Sequence, residues 1–254
     1  MKTIAFHLQK GGVGKTTLSV SVAWELANMG YSTVLCDCDP QGNASSWLLE
    51  GRRDPEFQLS DVLTRKADPQ DAAVQVEGGL YCIPTFGATS DLRDYAKGGG
   101  SAAEPYAIAD MLDSLPFQFA VLDMGPGLYA IEQAALIATN EVLLTMTPEY
   151  FALDGLETWT DAVKKIEKGL RVKIHYSKLV VNGMNRAIGQ MQEVHTAALK
   201  AARDVYTIGQ DPAFRKAQAA HIPAQALTTA KLKAENRLEL QRIAKGVING
   251  TRKE

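Results

Sequence analysis

Residues 9–17 decide the fold of this chain, and they read Gln9-Lys10-Gly11-Gly12-Val13-Gly14-Lys15-Thr16-Thr17. The stretch follows an apolar run at 4–8 and opens a segment, residues 18–27, whose apolar side chains recur at helical spacing. Glycines let successive backbone N–H groups point at one anion, and the start of a helix attracts negative charge. A glycine loop between a strand and a helix therefore predicts phosphate binding, rather than a turn that binds nothing.

The end of this loop predicts how a nucleoside triphosphate and Mg²⁺ would be held. Lys15 would reach the β- and γ-phosphates, and the hydroxyl of Thr16 would ligate the metal. The predicted binding residues of the loop are Lys10, Gly11, Gly12, Val13, Gly14, Lys15, Thr16 and Thr17.

The loop departs from the standard pattern G-x-x-x-x-G-K-[ST] at its first position. That pattern would have glycine at position 9, where this chain has Gln9, and a second lysine, Lys10, precedes Lys15. A cation at the lip of the loop need not contact the nucleotide bound by its own chain. Lys10 could therefore meet a nucleotide presented by a second subunit.

Composition and periodicity together predict the fold class. The 254 residues are 46% hydrophobic and 22% charged, which is ordinary for a globular protein. Short apolar runs alternate with helical stretches, the pattern of a mostly parallel, twisted sheet with helices on both faces. We expect one α/β domain over 1–254, without a signal peptide, an appended N-terminal domain or a membrane span.

Charge is distributed unevenly along the chain. Residues 1–150 carry 9 Lys and Arg against 19 Asp and Glu, whereas residues 151–254 carry 18 against 10. A basic half indicates either an anionic partner or a well-solvated set of helices, and the sequence leaves both open.

Three cysteines, Cys36, Cys38 and Cys82, lie in apolar, strand-like surroundings. An odd number of cysteines in such surroundings favours reduced thiols over a disulfide framework. Cys36 and Cys38 have no second Cys or His cluster nearby in sequence, so buried strand cysteines are a better interpretation than a metal site.

Acidic residues follow two predicted strands. A strand at 31–36 runs into Asp37-Cys38-Asp39-Pro40-Gln41-Gly42-Asn43, and a buried hydrophobic strand beginning at Phe117 ends in Asp123. The carboxyl ends of parallel strands face the crevice where ligands bind, so these carboxylates would lie near the nucleotide. Asp123 would hold Mg²⁺ through water, while the first stretch could also be a plain turn rich in Asp, Pro, Gly and Asn.

The rest of the chain supplies the other elements of the predicted sheet. Further strands are predicted at 80–84, 141–146, 177–181 and 206–208, short helices and turns at 44–75, and helical structure at 88–115. Lys97-Gly98-Gly99-Gly100-Ser101 predicts a flexible connection or surface loop. Asn182 could read an adenine edge with its amide, although a loop-capping role fits equally well.

A C-terminal helix over about 229–248 is predicted to pack on the domain. Leu240, Ile243 and Val247 lie on one side of it, and its other positions mix Lys, Arg and Glu. A membrane anchor would present Trp or Phe and an unmixed basic face, so a docked surface helix is the preferred interpretation.

Four stretches, in this order, resemble the ParA/MinD family of deviant Walker A P-loop ATPases, closest to the ParA/Soj-type partition ATPases. They are the two-lysine loop, the D-x-D-P-Q-G-N stretch, the strand ending in Asp123, and residues 148–156, which read P-E-Y-F-A-L-D-G-L. The resemblance spans residues 2 to about 220 and implies a three-layer α/β/α fold. It also implies an ATPase that uses Mg²⁺ to convert ATP to ADP and phosphate.

The resemblance implies roles for individual residues. Lys10 would cross a homodimer interface to the partner's phosphates, Asp39 would orient or activate the attacking water, and Asn182 and Pro212 would lie near the base. The implied catalytic residues are Lys10, Lys15 and Asp39, and the implied metal residues are Thr16, Asp37, Asp39 and Asp123. Met124-Gly125-Pro126-Gly127 departs from the family's D-x-P-P, which implies a looser loop after Asp123.

The resemblance also implies a cellular role. An ATP dimer would bind non-specific DNA through residues such as Arg186, Arg215 and Lys216, and a ParB-like or cargo-adaptor protein would stimulate hydrolysis. Such a protein would be cytoplasmic and nucleoid-associated, and would segregate plasmid, chromosome or other cargo. A MinD-like membrane-cycling regulator is the alternative. A nitrogenase-reductase-like electron donor is a third, and its paired cluster cysteines have no match here.

Overall fold

One eight-stranded sheet organises the molecule. A computed structural model describes residues 1–49, 55–86, 92 and 104–250. The strands are β1 (Lys2–His7), β2 (Thr33–Asp37), β3 (Val74–Gln75), β4 (Leu80–Ile83), β5 (Phe119–Asp123), β6 (Glu141–Met146), β7 (Lys178–Met184) and β8 (Asp204–Gly209). Their order is β3-β4-β2-β5-β1-β6-β7-β8, and the neighbours pair in parallel except β3 with β4. The predicted mostly parallel sheet is confirmed.

Helices cover both faces of this sheet. They are α1 (Lys15–Asn28), α2 (Asn43–Leu49), α3 (Leu59–Leu63), α4 (Ala107–Asp113), α5 (Ala130–Ala138), α6 (Ala152–Leu170), α7 (Gly189–Ala201), α8 (Pro212–Ala219) and α9 (Ala234–Asn249). Alternate residues of β1 enter two separate cores, because successive strand side chains point to opposite faces. Ile4 and Phe6 pack with α1 and α9, whereas Ala5 packs with α5 and α6. The fold is therefore the three-layer α/β/α arrangement predicted from the sequence.

Several element boundaries differ from the sequence prediction, and the largest differences are at the end of β7 and the start of α9. Strand β7 continues to Met184 rather than stopping at 181, with a register shift against β8 between Asn182 and Met184. Helix α9 begins at Ala234 rather than near 229, because Ala230 has a left-handed φ of 52° and the backbone N–H of Lys233 donates to Asp211. The predicted glycine-rich connection at 97–101 lies outside the described residues.

The three cysteines and the apolar side of helix α9 are buried in the domain. Cys36, Cys38 and Cys82 are free and buried. Burial raises the pKa of all three thiols, which keeps them protonated. Leu240, Ile243 and Val247 of α9 are also buried, so its apolar side is docked on the domain.

Candidate functional site: the nucleotide loop and the carboxylates beside it

The glycine loop joins the end of β1 to the start of α1. Gly12 and Gly14 have φ values of 75° and 92°, a conformation that disfavours residues with a side chain. Gly14 is the N-cap of α1, and no side chain of the described residues caps this end of the helix. The N–H groups of the first helical turn are thus left for a ligand, and an anion is the ligand that a helix N-terminus attracts.

Lys15 is held inside the loop rather than on its surface. The side chain is buried, and Nζ donates to the carbonyl oxygen of Lys10 at 2.8 Å. Burial lowers the pKa of Lys15, while the charges of Asp123, Asp39 and Glu132 oppose that change. Among the described residues, the Lys15 ammonium donates hydrogen bonds to carbonyl oxygens, and it gains a charged partner when a phosphate enters the loop.

Lys10 lies at the lip of the loop, as the sequence predicts, and its ammonium forms an ion pair with Glu149 of the same chain. The two side chains are 40% and 58% exposed. The hydrogen bond from Lys10 lowers the pKa of Glu149. An ion pair this exposed contributes at most about 1 kcal/mol, so a stronger anionic partner can take Lys10 away from it.

Three predicted carboxylates lie where β2 and β5 end side by side. Asp37 and Asp123 are register partners at the ends of these strands. Asp37 accepts hydrogen bonds from the backbone and hydroxyl of Ser45 at 2.8 and 2.7 Å, and from the Asp39 backbone at 3.2 Å. Asp37 therefore holds the turn that carries Asp39, and its predicted support of the metal would act through this turn.

Of the three carboxylates predicted to support a metal ion, Asp123 is the best placed. It is fully buried, and its Oδ1 accepts a hydrogen bond from Ser19 at 3.0 Å. Burial raises its pKa to about 7, and the hydroxyls of Thr16 and Ser19 oppose the rise. Its Oδ2 is buried with no hydrogen-bond partner among the described residues. A buried carboxylate oxygen left without a donor, beside a threonine hydroxyl, fits a hydrated Mg²⁺.

Glu132 completes this acidic group, and the sequence reasoning missed it. It is buried in the first turn of α5, where Oε2 accepts the backbone N–H of Tyr129 at 2.9 Å. A Cβ on Gly125 would stand 2.8 Å from Glu132 Oε1 and 3.5 Å from Asp39 Oδ1. Burial raises the pKa of Glu132. In sequence, Glu132 is indistinguishable from an ordinary acid of a first helical turn, so no pattern indicated its position.

The contact with Glu132 also gives a reason for the departure at Gly125. The glycine leaves room for the Glu132 carboxylate to approach the loop after Asp123, where the family's proline would have ring atoms. The looser loop expected from the loss of proline is therefore packed against a buried carboxylate.

We expect Gly125→Ala to lower the free energy of unfolding by about 1–3 kcal/mol, because the added methyl overpacks the contact with Glu132. Urea unfolding should show that Gly125→Ala costs much less in a Glu132→Ala background. Gly169→Ala is the matched control, because it is at a helical position where no atom of the described residues lies within 4 Å of the new Cβ. Strictly additive effects of Gly125→Ala and Glu132→Ala would contradict this account.

Asn182 lies against the glycine loop. Its Nδ2 donates to the carbonyl oxygen of Val13 at 2.8 Å, and a Cβ on Gly14 would overlap this amide. The side chain thus supports the loop from β7, while its reading of an adenine edge stays a prediction. Pro212, the other predicted base contact, is exposed at the first position of α8, behind the N-cap Asp211.

The predicted DNA contacts follow two adjacent strands. Arg186 lies in the turn after β7, and Arg215 and Lys216 lie on α8, which follows β8. All three are exposed, and β7 and β8 are parallel neighbours, so these residues lie at the same edge of the sheet as the glycine loop. Lys233, which the sequence reasoning did not select, donates through Nζ to the carbonyl oxygen of Gln210 at this edge.

None of the described helices is both long and apolar enough to cross a bilayer.

Comparison with known proteins agrees with the fold and the loop. The family model of the AAA domain matches residues 1–176. The chromosome partitioning protein ParA of Caulobacter vibrioides is 32% identical over 76% of this chain and 74% of its own. The chain is also similar to solved structures. Their sequence identity to this chain is low, so the likeness concerns the fold alone. A McdA variant from Cyanothece in complex with ATP has a TM-score of 0.81 and 17% identity, covering 100% and 98% of the two chains. Pyrococcus horikoshii MinD with Mg-ADP has a TM-score of 0.76 and 21% identity, covering 99% and 97%.

The family match covers more than half of the chain and begins at β1 and the two-lysine loop. The ParA relative is similar over three-quarters of the chain. The chain therefore belongs to the ParA/MinD family of P-loop ATPases, close to its ParA/Soj members, and it is an ATPase.

Proposed function

We propose that this protein is a ParA-like positioning ATPase whose ATP-bound form is a homodimer with the nucleotides between the two chains. The proposal rests on the position of Lys10, an exposed cation at the lip of the loop. Among the described residues, its ammonium is held only by a surface ion pair with Glu149. A cation there can leave Glu149 and neutralise phosphate charge on a facing chain. This is electrostatic stabilisation supplied across an interface, similar in logic to an arginine finger.

Within each chain, we propose the following roles for the residues of the site. Thr16 and Asp123 hold the hydrated Mg²⁺, with the orphaned Oδ2 of Asp123 as support. Asp39 orients the attacking water, and Asp37 keeps Asp39 in place through its hydrogen bond to the Asp39 backbone. Lys15 neutralises the β- and γ-phosphates from inside the loop, where it is already buried.

We further propose that the ATP dimer binds DNA without sequence preference. Arg186, Arg215, Lys216 and Lys233 are exposed at one edge of the sheet. The half of the chain that contains them has 18 basic and 10 acidic residues. Neutralising several phosphates makes such binding steeply dependent on salt. A protein partner would stimulate hydrolysis and release the dimer, in the cytoplasm and on the nucleoid.

Retention on random-sequence DNA tests this proposal. We expect ATP-loaded protein to bind at low salt. The double variant Arg215→Ala/Lys216→Ala should make the negative slope of log affinity against log salt shallower by about 2 for each chain of the dimer that contacts DNA. Lys165→Ala/Lys168→Ala is a matched control, because these exposed lysines lie in the C-terminal half of α6, toward the amino ends of the strands. An ATP-loaded protein that shows no retention at low salt would refute the DNA part of the proposal.

The MinD-like alternative is tested on the same samples. Liposome sedimentation with ATP would favour it if the protein pelleted with vesicles and ignored DNA. The buried Leu240, Ile243 and Val247 argue against that outcome, since an anchor helix needs its apolar side free.

A further inference from the structure

His7, the last residue of β1, is fully buried beside the nucleotide loop. Its Nδ1 accepts a hydrogen bond from the indole N–H of Trp159 at 2.7 Å. An indole nitrogen can only donate, so Nδ1 carries no proton. The proton is therefore on Nε2, which lies 3.0 Å from the carbonyl oxygen of Gly127 and donates to it. Burial, with the nearby charge of Lys15, lowers the pKa of His7 to about 3, which keeps the ring neutral.

The two hydrogen bonds of His7 join elements that are far apart in sequence. Gly127 belongs to the loop that follows Asp123, and Gly125 of the same loop has so little room beside Glu132 and Asp39 that an added Cβ would lie 2.8 Å and 3.5 Å from their carboxylate oxygens. Trp159 lies in the second turn of α6 and is itself fully buried, with its ring edge-on to Tyr176 at 5.1 Å. His7 is thus the bridge between the loop after Asp123 and the helix α6.

The segment that precedes α6 is tied to the nucleotide loop as well. Glu149, three residues before the start of α6, holds Lys10. The stretch 149–159 therefore contacts the nucleotide site at both ends, through Lys10 and through His7. A shift of the loop 124–128 that accompanies ATP binding would act on Trp159 because tightly packed interiors transmit displacements rather than absorb them.

We propose that His7 is a positioning residue that couples the loop 124–128 to helix α6, so that the nucleotide state of the site is transmitted to Trp159. The inference depends on ATP binding within one chain and not on the proposed dimer or its DNA. The coupling through His7 can therefore fail while the proposed function holds, and the reverse is also true. The residue acts through Gly127 and Trp159 and does not itself touch the reacting atoms.

Trp159 is a built-in reporter for this coupling. The chain has 3 tryptophans, so Trp24→Phe/Trp47→Phe leaves Trp159 as the sole indole. We expect its emission to change when ATP and Mg²⁺ are added. His7→Gln keeps a donor near Gly127 but loses the acceptor for Trp159, whereas His7→Asn keeps that acceptor but loses the donor. Both should lose the nucleotide-dependent change and lower kcat, while KM and the binding of a fluorescent ATP analogue stay within about threefold of the parent.

His195→Asn is the matched control, because this histidine makes its hydrogen bond to Thr207, away from the site. An unchanged Trp159 response in His7→Gln and His7→Asn, with ATP bound normally, would overturn the inference. If those variants do not fold, Trp159→Phe is measured by hydrogen exchange. Faster exchange of the amides at 124–128, and a smaller slowing on addition of ATP, would support the coupling, and exchange equal to wild type would overturn it.

Discussion

Lys10→Ala is expected to abolish the ATP-dependent dimer and to lower the stimulated turnover of ATP by about 10³-fold, the lower range for a cation supplied across an interface in phosphoryl transfer. The structure separates the two lysines of the loop. Lys15 is buried and donates to backbone carbonyls, while Lys10 is at the surface beside Glu149. Loss of Lys10 should therefore leave ATP binding by the single chain largely intact, as measured with a fluorescent analogue.

The Lys10→Ala substitution should have little effect on the stability of the fold. The Lys10–Glu149 pair is exposed, so the free energy of unfolding should change by less than about 1 kcal/mol. Lys164→Ala removes a comparable exposed pair with Asp161 on α6 and should change neither turnover nor dimerisation. Sedimentation velocity with ATP separates the outcomes, and a Lys10→Ala protein that dimerises as well as wild type would contradict the role of Lys10 across the interface.

Gly14→Ala is expected to weaken ATP binding by about 100-fold or more, which is roughly 2.7 kcal/mol. Gly14 has a φ of 92°, where a residue with a side chain is strained by about 1–2 kcal/mol. The new methyl would also overlap the Asn182 amide that supports Val13. Relief of both problems requires the loop to move, and the N–H groups at the start of α1 would then no longer converge on one phosphate.

Gly11→Ala is the matched control, because in the described part of the chain a Cβ there meets no atom within 4 Å and Gly11 has no positive φ. We expect it to leave the stability of the monomer within about 0.5 kcal/mol of wild type. Gly14→Ala/Asn182→Ala should recover only part of the lost affinity, since the overlap is gone and the backbone strain remains. Calorimetric titration measures the ATP affinity of Gly14→Ala and of Gly14→Ala/Asn182→Ala. A wild-type affinity in Gly14→Ala would show that the loop geometry is not what binds the phosphates.

Local patterns were enough to predict the sheet and the nucleotide loop. Apolar runs and turn residues placed seven of the strands, and β6 occurs at the predicted residues 141–146. The positions of the glycine loop, Lys15 and Asp123 at strand ends were predictable because each proposed role needs a residue type at a fixed place relative to a strand end. The short strand β3 was not predicted, since its two residues carry no periodicity.

The contacts that tune the site were beyond the reach of local patterns. Glu149 is far from Lys10 in sequence, Glu132 from Asp39, and Trp159 from His7, and only the folded chain brings each pair together. A single buried histidine at the end of a strand looks like any core residue until its partners are known. The start of α9 depended in the same way on the distant Asp211.

The central claim is that each nucleotide is completed by Lys10 of the facing chain, and mixing two inactive variants tests it most directly. The Lys10→Ala chain lacks the lysine that would reach the nucleotide of the facing chain. The Asp39→Ala chain lacks the carboxylate that would orient the attacking water in its own site. In a mixed dimer, the site on the Lys10→Ala chain has its own Asp39 and receives Lys10 from the Asp39→Ala chain. Phosphate release should therefore return on mixing, to at most about half of the wild-type rate, because each mixed dimer has one complete site of two. No recovery on mixing, with both variants folded and binding ATP, would contradict the account.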